Sequence, residues 1–280
     1  MNYMKLVFDI DERYQEHFIA ELMEMDFYGF EQMDEQLVAY VEKPRYSDTH
    51  REYIEQIITV FPGASFVEME DIEDQNWNRT WEQTIEPQRI GSFLVKPTWS
   101  DVKPTDDEIL LEIDPKMAFG TGYHATTRLI LRQIDKIDFE NKTVLDAGTG
   151  TGILAIAAAK KGAEKVMGFD FDPWSKENAN ENRLLNGVGE IVEIRFGGIE
   201  QIRDGEMFDI CLANINRNVI LELISILVKH TKPGGVICLT GLLNSDEEDV
   251  RDELAKFPVS ITDFQHEQEW ILFEVSKEAH

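Results

Sequence analysis

The chain has 280 residues, 42% of them hydrophobic and 29% charged, enough apolar content for a packed core and far from a disordered or collagen-like composition. Its 54 Asp and Glu outweigh 27 Lys and Arg, a formal charge of −27, which repels phosphate backbones and anionic lipid and argues against nucleic acid or a membrane as direct partner. No stretch nears the roughly 18 to 20 apolar residues of a membrane span, and the opening MNYMKLVFDIDER lacks the basic flank and apolar run of a signal peptide, so a cytoplasmic protein is expected.

The length suggests two domains. Residues 1–74 hold 19 acidic and 5 basic side chains, a concentration of negative charge that would steer a basic partner. They read strand, helix, strand, helix, strand: KLVFDI at 5–10, a helix over 12–27 with Phe18, Ile19, Leu22, Met25 and Phe27 at mostly helical spacing, QLVAYVE at 36–42, a helix over 48–60, and SFVEME at 65–70 after the Pro62-Gly63 break. A small α+β domain of ferredoxin-like type is expected. Residues 75–115 carry Trp77, Trp81, Trp99 and four prolines around the strand-like pieces FLVK and ILLEI, the pattern of a connector that packs on something.

From about 124 the elements alternate. A helix near 125–137 is followed by strand 143–147, helix 153–161, strand 165–170, helix 173–186, strand 191–196, strand 208–214, helix 218–230, strand 236–241 and helix 246–256. Such alternation predicts an α/β domain over 75–280 with a doubly wound, largely parallel, seven-stranded Rossmann-like sheet. Asp172 before Pro173 reads as an N-cap, Ser245 with Glu248 as a capping box, and the pair 259–265 and 270–276 as a closing hairpin, because the link is too short for a crossover. Cys211 and Cys238 each sit inside an apolar run, so buried thiols are expected, with no disulfide framework and no metal site.

The chemistry centres on VLDAGTGTG at 144–152, where an apolar strand enters Gly148, Gly150 and Gly152 and then a helix. Such a turn brings backbone close to a ligand at a helix N-terminus. A dinucleotide fingerprint needs another glycine three residues after the second; here that residue is Ile153, which favours S-adenosylmethionine over NAD. Asp170 closes the next strand, where a carboxylate can accept both hydroxyls of a ribose. Asp146, inside the first strand, is costly to bury unless it bonds loop amides or the ligand, and both readings stay open. A second Gly-rich loop, DPKMAFGTGYHATT at 114–127, enters a helix just before the sheet begins.

With AFGTGYHATT, VLDAGTGTGILAIAAAKKGAEKV, GFDFDP, ANI, KPGG and a late EW, the chain resembles the PrmA methyltransferases, which modify the eleventh protein of the large ribosomal subunit. The likeness is strong over roughly 75–280 and one of layout over 1–74. It implies methyl transfer from S-adenosylmethionine to lysine and/or N-terminal amines of that basic ribosomal protein, which the acidic front domain would grip. It also implies that Phe119, Gly120, Thr121, Gly122 and Thr127 close over the methionine part of the cofactor, with Gly148 and Gly150 beneath it and Asp146 at the same turn. Asp170 would hold the ribose, and Asn214 would face the methyl group and the incoming amine as the catalytic side chain.

Two departures stand out. Where many methyltransferases place an acidic residue near the adenine, this chain has Gly198, and the segment after Asn214, INRNV, lacks the Pro-Pro-aromatic pattern of amide and nucleobase methylases, in keeping with an aliphatic amine. His124 is a candidate base, but a histidine at a helix start is more often a capping or packing residue. Three alternatives stay open: methylation of a different protein lysine, an NAD-dependent oxidoreductase, or an adapter without activity.

Overall fold

A computed structural model describes residues 3–23, 25–27, 29–33, 35–72, 85–116 and 118–279. Trp77 and Trp81 lie outside them. The chain divides into two compact units, Met1–Trp81 and Glu82–His280.

The first unit runs β1 (Tyr3–Asp9), α1 (Glu12–Met23), β2 (Gly29–Gln32), β3 (Gln36–Glu42), α2 (Asp48–Ile58) and β4 (Ser65–Ile72). Its antiparallel sheet has the order β2-β3-β1-β4, which is the ferredoxin-like βαββαβ topology. One face packs under the helices: Leu6 and Phe8 of β1 meet Phe18 and Leu22 of α1 and Ile54 and Ile57 of α2. The sequence pattern misses β2 and runs α1 four residues too far. The helix stops because Asp26 takes a positive φ of 60° in a turn closed by the Met25 and Phe27 amides on the Leu22 carbonyl, and GFEQ is too short to show an alternation.

In the second unit β5 (Gln88–Ile90), β6 (Phe93–Lys96) and β7 (Ile109–Glu112) form a three-stranded sheet. Phe93, Val95 and Leu111 bury themselves in the main core, so the connector does pack, whereas Trp99 is exposed. There follow α3 (Ala125–Lys136), β8 (Thr143–Ala147), α4 (Ile153–Lys160), β9 (Lys165–Asp170), α5 (Pro173–Leu185), β10 (Val192–Phe196), β11 (Phe208–Asn214), α6 (Arg217–His230), β12 (Thr231–Leu243), α7 (Glu247–Leu254), β13 (Val259–Glu267) and β14 (Trp270–Lys277). The sheet order is β10-β9-β8-β11-β12-β14-β13, parallel from β10 to β12, with the final hairpin antiparallel.

This is the expected doubly wound sheet, and its central strands β8 and β11 are mostly apolar because both faces are covered. Alternate residues feed two cores. Val144 and Val166 join α3, α4 and α5 on one face, while Leu145 and Met167 join α6 and α7 on the other. Cys211 and Cys238 are free and buried in these layers, and burial pushes the Cys211 thiol up to about 12. Two local expectations change. Asp172 does cap α5, accepting from the Trp174 and Ser175 amides, but Ser245 does not cap α7. Asp246 precedes that helix and its carboxylate takes the Leu243 amide. β12 begins at Thr231 instead of 236, carried through Gly234 at a φ of 75° and a register shift against β11.

Because β9 lies on one side of β8 and β11 on the other, the chain reverses its winding at β8. A crevice opens at such a switch point, outside the carboxyl ends of the strands. Asp146, the glycine turn, Asp170 and Asn214 all sit at that end.

Candidate active site

The glycine turn is held by two carboxylates. Asp146 is fully buried in β8, and its Oδ2 accepts the Thr149 hydroxyl at 2.7 Å and the Ala155 amide at 3.1 Å, tying the turn to the first turn of α4. Its Oδ1 has no partner among the described residues, and burial pushes the carboxyl up to about 6. Asp170, at the end of β9, accepts the Gly150 amide at 2.9 Å and the Asp172 amide at 3.0 Å. Each of its oxygens keeps acceptor capacity, since an ionised carboxylate offers about four sites.

Gly148, Gly150 and Gly152 all have left-handed backbones, at φ of 72°, 53° and 83°, a region that side chains resist. The room they leave is taken by protein. A Cβ at Gly150 would stand 2.3 Å from the Phe119 carbonyl oxygen, and one at Gly148 would stand 2.4 Å from the Ile215 side chain. The second Gly-rich loop therefore lies directly on the first. The Thr151 amide donates to the Phe119 carbonyl at 2.8 Å and the Thr151 hydroxyl to the Gly120 carbonyl at 2.7 Å. Thr121 and Gly122 have their contacts elsewhere: the Thr121 hydroxyl accepts the Tyr123 amide at 3.4 Å, and a Cβ at Gly122 would meet Val95.

The end of β11 joins the same cluster. The Asn214 side-chain amide donates to the Thr127 hydroxyl at 3.4 Å, so the loop-to-helix junction and the strand end meet although they are far apart in sequence. Thr127 is fully buried, which fixes the direction of the Asn214 amide. His124 caps α3, its Nδ1 accepting the Thr126 amide, and it stands edge-on between Phe119 and Trp270, with ring centroids 5.3 and 4.5 Å away. Burial, and then the Arg128 charge, lower its pKa.

Trp270 and Ile215 were not singled out as site residues from sequence. Both fall in short pieces of the family resemblance, ANI and the late EW, but their places in the site appear only once the strands pair. At Gly198, where an acidic residue was noted as lacking, the Glu200 carboxylate folds back to accept the Gly198 amide at 2.7 Å, and that bond lowers its pKa. Two large rings stay in solvent beside Asp170: Phe171 is 78% and Phe196 51% exposed, and Phe196 is paired in register with Asp170. Exposed aromatics next to unsatisfied acceptors suit a flat, partly apolar ligand that also carries hydroxyls.

The family model described as ribosomal protein L11 methyltransferase (PrmA) matches residues 3–278. The chain belongs to the ribosomal protein L11 methyltransferase family. The L11 methyltransferase of Chlorobaculum parvum is 36% identical over 277 residues, covering 96% of this chain and 95% of that protein. That of Chlorobaculum tepidum is 35% identical with the same coverage. Among solved structures, a ribosomal protein L11 methylase from Lactobacillus delbrueckii subsp. bulgaricus superposes with a TM-score of 0.62 at 32% identity, over 67% of this chain and 95% of that one. A tRNA methyltransferase of M. jannaschii, at 12% identity and a TM-score of 0.52, shares the fold alone.

Proposed function

We propose that the chain transfers methyl groups from S-adenosylmethionine to lysine and/or N-terminal amines of L11, the eleventh protein of the large ribosomal subunit. The observation that carries the reading is the convergence of the 119–127 loop, the glycine turn, Asp170 and Asn214 at the switch point of the sheet. Residues present there fit the cofactor. Asp170 would accept the ribose hydroxyls with the lone pairs its backbone bonds leave free, and Phe171 and Phe196 would cover the base. The loop from Phe119 to Thr127 would close on the methionine end. When bound, S-adenosylmethionine supplies an electrophilic methyl group on a positively charged sulfur.

The protein's own task is to present a neutral amine in line with that methyl. A lysine amine, with an ordinary pKa of about 10.4, must lose a proton first. That proton leaves to solvent, and Asn214 suits the neutral amine that remains. Its NH2 is held by Thr127, which leaves the amide oxygen to accept an amine N–H and orient the lone pair. Phe119, His124 and Trp270 line up beside the loop, and a site walled by them disfavours the ammonium form by desolvation. His124 acts as a cap in this arrangement. The oxidoreductase alternative finds no support: Ile153 is buried, with its Cγ2 3.3 Å from where a Cβ of Gly120 would stand.

The acidic first unit is assigned to gripping the basic substrate, and a cytoplasmic location follows from a ribosomal one. Among the described residues no helix is long and apolar enough to cross a membrane.

Incubation with methyl-labelled S-adenosylmethionine and free L11, read by intact mass, tests the reading. Mass should rise in steps of one methyl. Asp170→Ala should raise the KM for S-adenosylmethionine by about 10- to 100-fold, the scale of one or two charge-assisted hydrogen bonds. An unmodified L11 under conditions where the chain binds S-adenosylhomocysteine would discard the substrate and keep the chemistry.

A further inference from the structure

The sheet of the first unit has two edges of very different character. β2, at one edge, is four residues long. β4, at the other, runs eight residues, Ser65–Ile72, and among the described residues no strand pairs with its outer side. Long open edges are a hazard that proteins normally blunt by shortness, charge or bulges. β4 does carry charge, in Glu68, Glu70 and Asp71, and a register shift at Val67. It also keeps Phe66, Val67 and Met69 at 45, 46 and 46% exposure, which protection of an edge does not require and solubility opposes.

The two faces of β4 differ. Phe66 and Met69 stand opposite Phe8 and Leu6 of β1, on the helix side, whereas Glu68 and Glu70 stand opposite Val7 and Lys5, on the other. On the helix side a slot of about 100 Å³ opens between Phe66 and Met69 of β4, Leu6 of β1, and Ile54 and Ile58 of α2, with Arg51 and Glu55 of α2 also lining it. It has room for an aliphatic side chain. On the other face Glu70 reaches only a loose 3.7 Å contact with Lys5, so carboxylates dominate there.

We propose that β4 is the docking edge for the protein substrate, which adds an extended segment to it as a fifth strand. This rests on the reading of the chain as a methyltransferase of a basic protein. Main-chain hydrogen bonds would supply affinity and alternate side chains specificity. An apolar residue would enter the slot, and Lys or Arg on the opposite face would meet Glu68 and Glu70. A second copy of this chain seated antiparallel about Met69 does not fit. Antiparallel pairing of two β4 strands about Met69 sets Glu68 against Glu70 twice, and like charges directly opposite are unfavourable. Nucleic acid is repelled by the same carboxylates.

Amide hydrogen exchange on the full chain, saturated with S-adenosylhomocysteine and with or without free L11, tests this. In β4 the amides that point away from β1 should exchange fast alone and at least 10-fold more slowly with L11. Glu68→Lys combined with Glu70→Lys, both at exposed positions, should raise the KM for L11 at least 10-fold while the KM for S-adenosylmethionine and the saturating kcat hold. Unchanged exchange over 65–72 while L11 is bound and methylated overturns the docking edge and leaves the methyltransferase reading intact. If the unaltered chain neither binds nor methylates L11, the substrate reading itself falls, and this proposal with it.

Discussion

Asp146 and Asp170 are carboxylates turned on the same glycine turn, yet their surroundings set them different tasks. Asp170 ends its strand, bonds two amides and keeps further acceptor capacity. Asp146 is sealed beneath, bonded to Thr149 and Ala155 through one oxygen, with the other unpaired. Burial raises the Asp146 pKa from 3.8 to about 6, so the fold favours its protonated form. Its stabilising contribution is complete below pH 3.8 and is lost as pH rises through 6. Asn does not titrate, so the stability difference between the native chain and Asp146→Asn should move in favour of the variant by about 1 kcal/mol between pH 5 and 7.5. Paired thermal melts at the two pH values check this, and a difference that stays constant would falsify the assignment. From the sequence Asp146 was open between structure and ligand; the structure adds its complete burial and its bonds to Thr149 and Ala155.

At the scale of elements, the 114–127 loop and the glycine turn act as one device. Each motif is visible in the sequence by itself, as glycines that need positive φ and threonines that enter a helix. What the pattern does not show is that Gly150 is small in order to admit the Phe119 carbonyl. Gly150→Ala combines a left-handed backbone with a 2.3 Å approach to a backbone oxygen, which no rotamer relieves. It should destabilise the chain by about 2 to 4 kcal/mol, the scale of strain plus overpacking, and weaken S-adenosylhomocysteine binding in calorimetry. A folded variant with unaltered affinity would mean that the two loops work independently. Strands β8 and β11 were legible because both-face burial makes them mostly apolar runs, and β10, VEIRF, because it alternates. β2 and β5 were not, since three or four residues carry no period and these segments become strands only by pairing with β3 and β6.

For the whole molecule, each unit has its own buried cluster, with Leu6, Phe8 and Phe18 in the first and Val144, Leu145 and their neighbours in the second. A chain of residues 82–280 should therefore fold and bind S-adenosylhomocysteine, and should fail to methylate L11 for want of the acidic unit. Circular dichroism, calorimetry and intact mass check the three parts, and undiminished methylation would remove the first unit from substrate binding. The primary sequence by itself determined the local facts: most of the strand and helix runs, where glycines cluster in turns, that Asp172 caps its helix, and where the negative charge is concentrated. These follow from sterics and hydrogen bonding among near neighbours in the chain. The tertiary structure alone decided the strand order that opens the crevice, the seating of Ile215 on Gly148, the contact of Asn214 with Thr127, and the arrival of Trp270 beside His124. Each of those depends on which distant segments are brought side by side, and no local pattern records that.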